Sequence, residues 1–109
     1  MNSNRKGKVG EREIANYIKQ QYGIDAKRGQ QHKGGADSPD IIVDLDGFHW
    51  EIKRVEHLNI DEALMQSTAD AKDGEKPIVV HRKNRTKWKV TMWFDDFMDL
   101  VKGGRNGTR

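Results

Sequence analysis

The stretch Pro39-Asp40-Ile41-Ile42-Val43-Asp44-Leu45-Asp46-Gly47-Phe48-His49-Trp50-Glu51-Ile52-Lys53-Arg54-Val55 decides how this chain folds. Asp40–Leu45 and Phe48–Val55 read as strands, and Asp46-Gly47 between them is among the strongest short hairpin signals. With those two residues as the loop, Leu45 pairs with Phe48, Val43 with Trp50, Ile42 with Glu51 and Asp40 with Lys53. Side chains alternate along a strand, so Glu51 and Lys53 share a face and Asp40 joins them from across the hairpin. Trp50 and Ile52 point the other way, into a core. Asp40 and Glu51 become diagonal neighbours with Cβ atoms roughly 7–8 Å apart. Two carboxylates at that separation can share one hard divalent cation.

Upstream, residues 7–22 read as a helix with Ile14, Tyr17, Ile18 and Tyr22 on one side and Gly23 as its stop. At about 100° per residue, the apolar face of Ile14, Ala15, Ile18 and Tyr22 is centred close to Glu11, whereas Glu13 falls toward solvent. A carboxylate on a buried face is costly unless it is paired or binds a metal. The plainer alternative for Glu11 is a first-turn acid favoured by the helix dipole. A short strand is expected at Ile24–Arg28, then a Gly-rich polar loop from Gly29 to Ser38. Downstream come a helix over Ile60–Lys72 capped by Asn59, strands at Pro77–Arg82 and Trp88–Met92, and a short helix over Phe94–Val101 with Phe97, Met98 and Val101 inward. The order is α-β-β-β-α-β-β-α, an α+β fold with a central mixed sheet flanked by helices. Residues 1–102 are expected to form one domain, with 103–109 a flexible basic tail.

The chain has 109 residues, 34% hydrophobic and 34% charged, which suits one compact domain with an economical core. The absence of cysteine excludes disulfides and thiolate metal ligands. There is no membrane-spanning apolar run and no signal-peptide pattern, so a cytoplasmic chain without a membrane partner is expected. The net charge is +3, and its distribution is uneven. Arg5, Lys6 and Lys8 open the chain, Lys27, Arg28 and Lys33 follow, and Arg82, Lys83, Arg85, Lys87 and Lys89 crowd one segment. Such separated clusters suit a phosphate backbone better than a membrane surface; as solvated loops they would bind nothing. The candidate DNA contacts are Arg5, Lys6, Lys8, Arg28, Lys33, Arg82, Lys83 and Arg85. Of the four histidines, three read as surface residues. His49 shares the face of Glu51 but lies nearer the hairpin tip, where a phosphate contact is its best role.

Pro39-Asp40 followed by Glu51-Ile52-Lys53 on the next strand resembles the PD-(D/E)XK nuclease motif. The helix opening Arg5-Lys6-Gly7-Lys8 and Gly10-Glu11-Arg12-Glu13 is similar to that of archaeal-type Holliday junction resolvases and their phage-encoded relatives. The resemblance spans roughly residues 5–101. It implies a restriction-endonuclease-like fold, with Glu11, Asp40 and Glu51 holding Mg²⁺ or Mn²⁺ and Lys53 as the catalytic lysine. A glutamine on the following helix often joins such sites, which makes Gln66 the candidate here. The resemblance further implies a homodimer that cuts branched DNA. The competing readings are a phage nicking or duplex endonuclease, and a non-catalytic DNA-binding module on the same fold. The mechanism needs each residue type: carboxylates hold the cation, the cation acidifies water and neutralises the phosphate, and the lysine stabilises developing charge.

Overall fold

The computed structural model describes the backbone of residues 3–29 and 39–106, with side chains over 7–29 and 39–103. The elements are α1 (Ser3–Tyr22), β1 (Ala26–Arg28), β2 (Ile41–Val43), β3 (Phe48–Arg54), α2 (Ile60–Asp70), β4 (Lys76–Arg82), β5 (Lys89–Met92) and α3 (Phe94–Asn106). This is the expected α-β-β-β-α-β-β-α order, an α+β architecture compatible with the restriction-endonuclease-like fold. A three-stranded mixed sheet runs β3-β4-β5, and β1-β2 form a separate antiparallel pair.

β3 and β4 are parallel, an arrangement that requires a crossover, and α2 supplies it. Alternation then divides the sheet into two faces. Ile52, Ile78 and Val80 pack with Ile14, Ala15 and Ile18 of α1 and with Ala26 and Ile41, while Phe48 and Trp50 close the rim. On the opposite face Val79 packs with Ala63 and Leu64 of α2. β4 is covered on both sides, which is why Ile78-Val79-Val80 is continuously apolar rather than alternating.

Four expectations are corrected. The turn falls at Asp46-Gly47, but β2 ladders with β1, pairing Ala26 with Val43 and Arg28 with Ile41. Asp40 donates its amide to the Trp50 carbonyl at 3.0 Å, so it lies beside Trp50 rather than opposite Lys53. β3 instead ladders with β4, starting beside the Gly47 carbonyl, which accepts the Lys76 amide at 2.8 Å. On α1 the buried stripe is Glu11, Ile14, Ala15 and Ile18, whereas Tyr17 and Tyr22 lie outside it and meet each other edge-on at 6.2 Å. The third correction is Glu13, which turns toward the sheet and not to solvent, as described below.

The fourth is α3, which continues to Asn106, past Gly103. Its stripe of Phe94, Phe97, Met98 and Val101 is exposed rather than inward. The helix is seated at its start, where the Trp93 indole donates to Thr68 Oγ1 at 2.9 Å. Leu100, also exposed, borders the open groove on the α1 side of the sheet. No helix among the described residues is long and apolar enough to cross a membrane.

Candidate active site

The odd-numbered residues of β3, His49, Glu51 and Lys53, face α2. Glu51 is buried, with Lys53 Nζ 3.7 Å from its Oε2. Burial pushes the Glu51 carboxyl up to about 7; the neighbouring charges of Asp40 and Asp70 add to the rise, and Lys53 opposes it. A carboxylate so placed is short of positive charge.

Asp40 reaches this site by completing the open edge of β3. Its amide bonds to the Trp50 carbonyl, and its Oδ2 accepts the Ile52 amide at 2.7 Å. Its side chain thereby takes the part of a strand carbonyl, and the two bonds bracket Glu51. Gly29 holds Asp40 from the other side, donating its amide to the Asp40 carbonyl at 2.9 Å. A Cβ on Gly29 would collide with the Pro39 carbonyl oxygen, so this close backbone approach requires glycine.

Glu11 is buried on α1, where Arg28 Nε donates to its Oε1 at 3.0 Å. Burial raises its pKa; the Arg28 bond pulls it back and the Asp40 charge raises it further. Glu11 and Glu51 therefore both sense Asp40, and Lys53 stands beside Glu51. Arg28, expected on DNA, is here the counter-ion of Glu11.

From α2 comes a residue that sequence reasoning missed. Asn59 caps the helix through the Glu62 amide at 3.1 Å. Inside it, Ser67 Oγ donates to the Ile78 carbonyl at 3.0 Å, fixing the helix across the sheet. Asp70 follows Ala63 and Ser67 at helical spacing and so lies on the packed side. It meets His49 and Glu51 with one ligand atom of each within 4.8 Å of the others. The 63–67–70 phase was the available signal. Gln66 sits on the exposed flank of the same helix.

His49 is not a phosphate contact, because only 1% of it is exposed. Covered by α2, its Nε2 lies 3.9 Å from Glu51 Oε1, and its Nδ1 lies 3.9 Å from Glu75 Oε1. Of the other histidines, His57 is exposed, and His81 is half-buried with Nε2 2.8 Å from Thr91 Oγ1; His32 lies outside the described residues.

Glu13 takes both its neighbours from the sheet: Arg54 Nε at 2.8 Å and Arg82 Nη2 at 2.8 Å. Arg82 also stacks over Trp88 at 5.6 Å and donates to the Thr86 carbonyl at 3.1 Å, so its guanidinium is engaged within the fold. Lys83 and Arg85 are exposed in the turn between β4 and β5. Arg54 Nη1 donates to Asn84 Oδ1 at 2.9 Å, which places that turn at the Lys53 end of β3. Lys8 is exposed and close enough to Glu11 to act on its charge. The side chains of Arg5 and Lys6, and the whole of Lys33, lie outside the described residues.

An open apolar groove of about 1170 Å³, bordered by Tyr17, Tyr22, Trp88, Val90 and Leu100, lies elsewhere, and none of Glu11, Asp40, Glu51 or Asp70 lines it. The carboxylates lie on another part of the surface. There, oxygen donors crowd around Glu51 while the buried His49 Nε2 has no hydrogen-bond partner, a donor set that fits a divalent cation. No curated protein and no solved structure matches the chain. A family model does match, over residues 2–106, and its description is "Phage putative PDDEXK endonuclease". By that match, which takes in Glu11, Asp40, Glu51 and Lys53, the chain belongs to the phage PDDEXK endonuclease family.

Proposed function

We propose that this chain is an Mg²⁺-dependent DNA endonuclease, with Mn²⁺ able to substitute, and that it prefers branched DNA such as a four-way junction. The observation that carries this reading is the set of carboxylates Asp40, Glu51 and Asp70 with Lys53 Nζ 3.7 Å from Glu51. Glu11, Asp40 and Glu51 would hold the cation. When bound, the cation neutralises charge on the scissile phosphate and makes a hydroxide nucleophile available near neutral pH. Lys53 orients the attacking water or stabilises charge developing on the phosphate oxygens. Gln66, on the exposed side of α2, joins from that helix. Arg5, Lys6, Lys8, Lys33, Lys83 and Arg85 supply affinity for the backbone, since the acidic site itself repels it. Arg28 and Arg82 act mainly through Glu11 and Glu13.

The same reading includes a homodimer working in the cytoplasm of a bacterial or phage-infected cell. Paired cuts across a junction need two sites related by a two-fold axis, and the exposed apolar stripe of Phe94, Phe97, Met98 and Val101 on α3 would be the surface for a second copy. The test is incubation with labelled four-way, nicked and linear DNA in Mg²⁺ and in chelator, with the cuts mapped. Paired, symmetric cuts in the junction that vanish with chelator are expected. Equal cutting of linear duplex would favour a nicking or duplex endonuclease, and cutting in excess chelator would sink the mechanism.

A further inference from the structure

His49 is a buried imidazole that the mechanism above does not use. Its side chain is 2% exposed, and Nε2 has no hydrogen-bond partner. Leaving such a group unsatisfied is costly, so the site is built at a cost unless something occupies it. The nearest acceptor, Glu51 Oε1, is at 3.9 Å, too far for a hydrogen bond. That spacing does suit two ligands of one ion: with bonds of about 2.1 Å, octahedral ligand atoms stand about 3.0 Å apart when adjacent and about 4.2 Å when opposite. Asp70 completes the group, one ligand atom of each residue lying within 4.8 Å of the others.

A further carboxylate stands on the other side of the ring. Glu75 Oε1 lies on the Nδ1 side at 3.9 Å, and that carboxylate is itself anchored by the Lys72 amide at 2.8 Å. The negative charge on that side favours the proton on Nδ1 electrostatically and leaves the Nε2 lone pair on the side of Glu51. We propose that His49, Glu51 and Asp70 form a second cation position on the α2 side of β3, selective for a transition-metal ion such as Mn²⁺ or Zn²⁺. An imidazole nitrogen among the ligands favours such ions over Mg²⁺ or Ca²⁺. Glu51 is common to both positions, its Oε1 turned to His49 and its Oε2 to Lys53. The proposal rests on the nuclease reading only through that shared carboxylate.

The test counts ions on the full chain, using electron paramagnetic resonance of free Mn²⁺ during titration. Two Mn²⁺ per chain are expected for the native protein and one for Asp70→Asn. Asp40→Asn should lose one ion yet keep the one at His49. His49→Gln should match Asp70→Asn, but its burial puts folding at risk. Zn²⁺ titration of native protein with ¹⁵N-labelled histidine is therefore the second readout, and His49 Nε2 should shift on ligation. A single Mn²⁺ in the native protein, an unchanged count in Asp70→Asn, or an unmoved His49 Nε2 would each overturn the proposal. If any of these accompanied junction cleavage in Mg²⁺ alone, the nuclease reading would stand and the second position would fall.

Discussion

Glu13 and Glu51 lie on opposite faces of the same sheet. Each oxygen of Glu13 meets a guanidinium at 2.8 Å, one from β3 and one from β4. Glu51 has an ammonium at 3.7 Å, an imidazole at 3.9 Å, and two further carboxylates pressing on its charge. The first arrangement is electrically closed and ties α1 to the strands. The second is open, its negative charge left without a matching positive one. Burial alone would not separate them usefully; the satisfaction of each oxygen does.

The sharpest way to break this contrast is by substitution on the open side. Glu51→Gln and Asp40→Asn should each reduce cleavage about 10³-fold or more in a single-turnover assay, and Lys53→Ala about 10²-fold. Binding of junction DNA in Ca²⁺ should survive all three. Cleavage within tenfold of the native rate in Glu51→Gln would place the chemistry elsewhere.

Next in size is a pH effect on stability. The carboxyl of Glu51 is raised in the folded state, so the folded protein holds this proton at pH values where the unfolded chain has released it. Metal-free stability should therefore be highest below the unfolded pKa near 4.5 and fall as pH rises toward and through about 7. The Glu51 contribution to that loss should be about 3 kcal/mol once the group is fully ionised. Glu51→Gln should flatten the profile in thermal melts, and adding Mg²⁺ should restore stability at the alkaline end. A profile unchanged by Glu51→Gln would assign the pH dependence to another group.

On the closed side the readouts should exchange. Glu13→Ala leaves Arg54 and Arg82 without their shared partner, and should cost about 1–2 kcal/mol by denaturant titration after allowance for partial exposure. Its cleavage rate well below the melting temperature should stay near native. Glu11→Ala should do the reverse, losing activity more than stability. Equal loss of activity in the two would merge the clusters that the structure separates.

The smallest effects belong to the rim. Lys83→Gln and Arg85→Asn should each weaken binding of any DNA sequence and lower the salt slope of log K by about 0.9 per lost phosphate contact. Asparagine suits position 85, where φ is 63°. Joint neutralisation of Arg5, Lys6 and Lys8 should lower the slope further. An unchanged slope in that triple variant would move the DNA path away from the start of α1.

Much of this was readable from local pattern. The element order follows from periodicity and punctuation, and the burial of Glu11 follows from its phase with Ile14, Ala15 and Ile18. What escaped depends on partners distant in the chain. Asp46-Gly47 announces a turn without saying whether β2 will prefer β3 or β1. The partner of Glu13 lies 41 residues away, which no helical phase reveals. Asp70 was in phase with Ala63 and Ser67, but a fully buried serine disguises the packed stripe as a polar one. The burial of His49 depends on α2 lying over β3, and the strand's own alternation does not report it. The apolar side of α3 was plain in sequence, while its exposure depends on how little of the fold the helix meets beyond Trp93.

The bond between Ile52 and Asp40 Oδ2 makes the backbone a sensor of what happens at the carboxylates. Any ligand that draws Asp40 off β3 must release that amide proton, so exchange with solvent deuterium at Ile52 should speed or slow with occupancy. Since the same aspartate joins β2 to β3, the seam between the two sheets should breathe with the chemistry, while amides of β4 stay silent. A single residue's exchange rate could then follow cation loading in a chain that carries no chromophore for it.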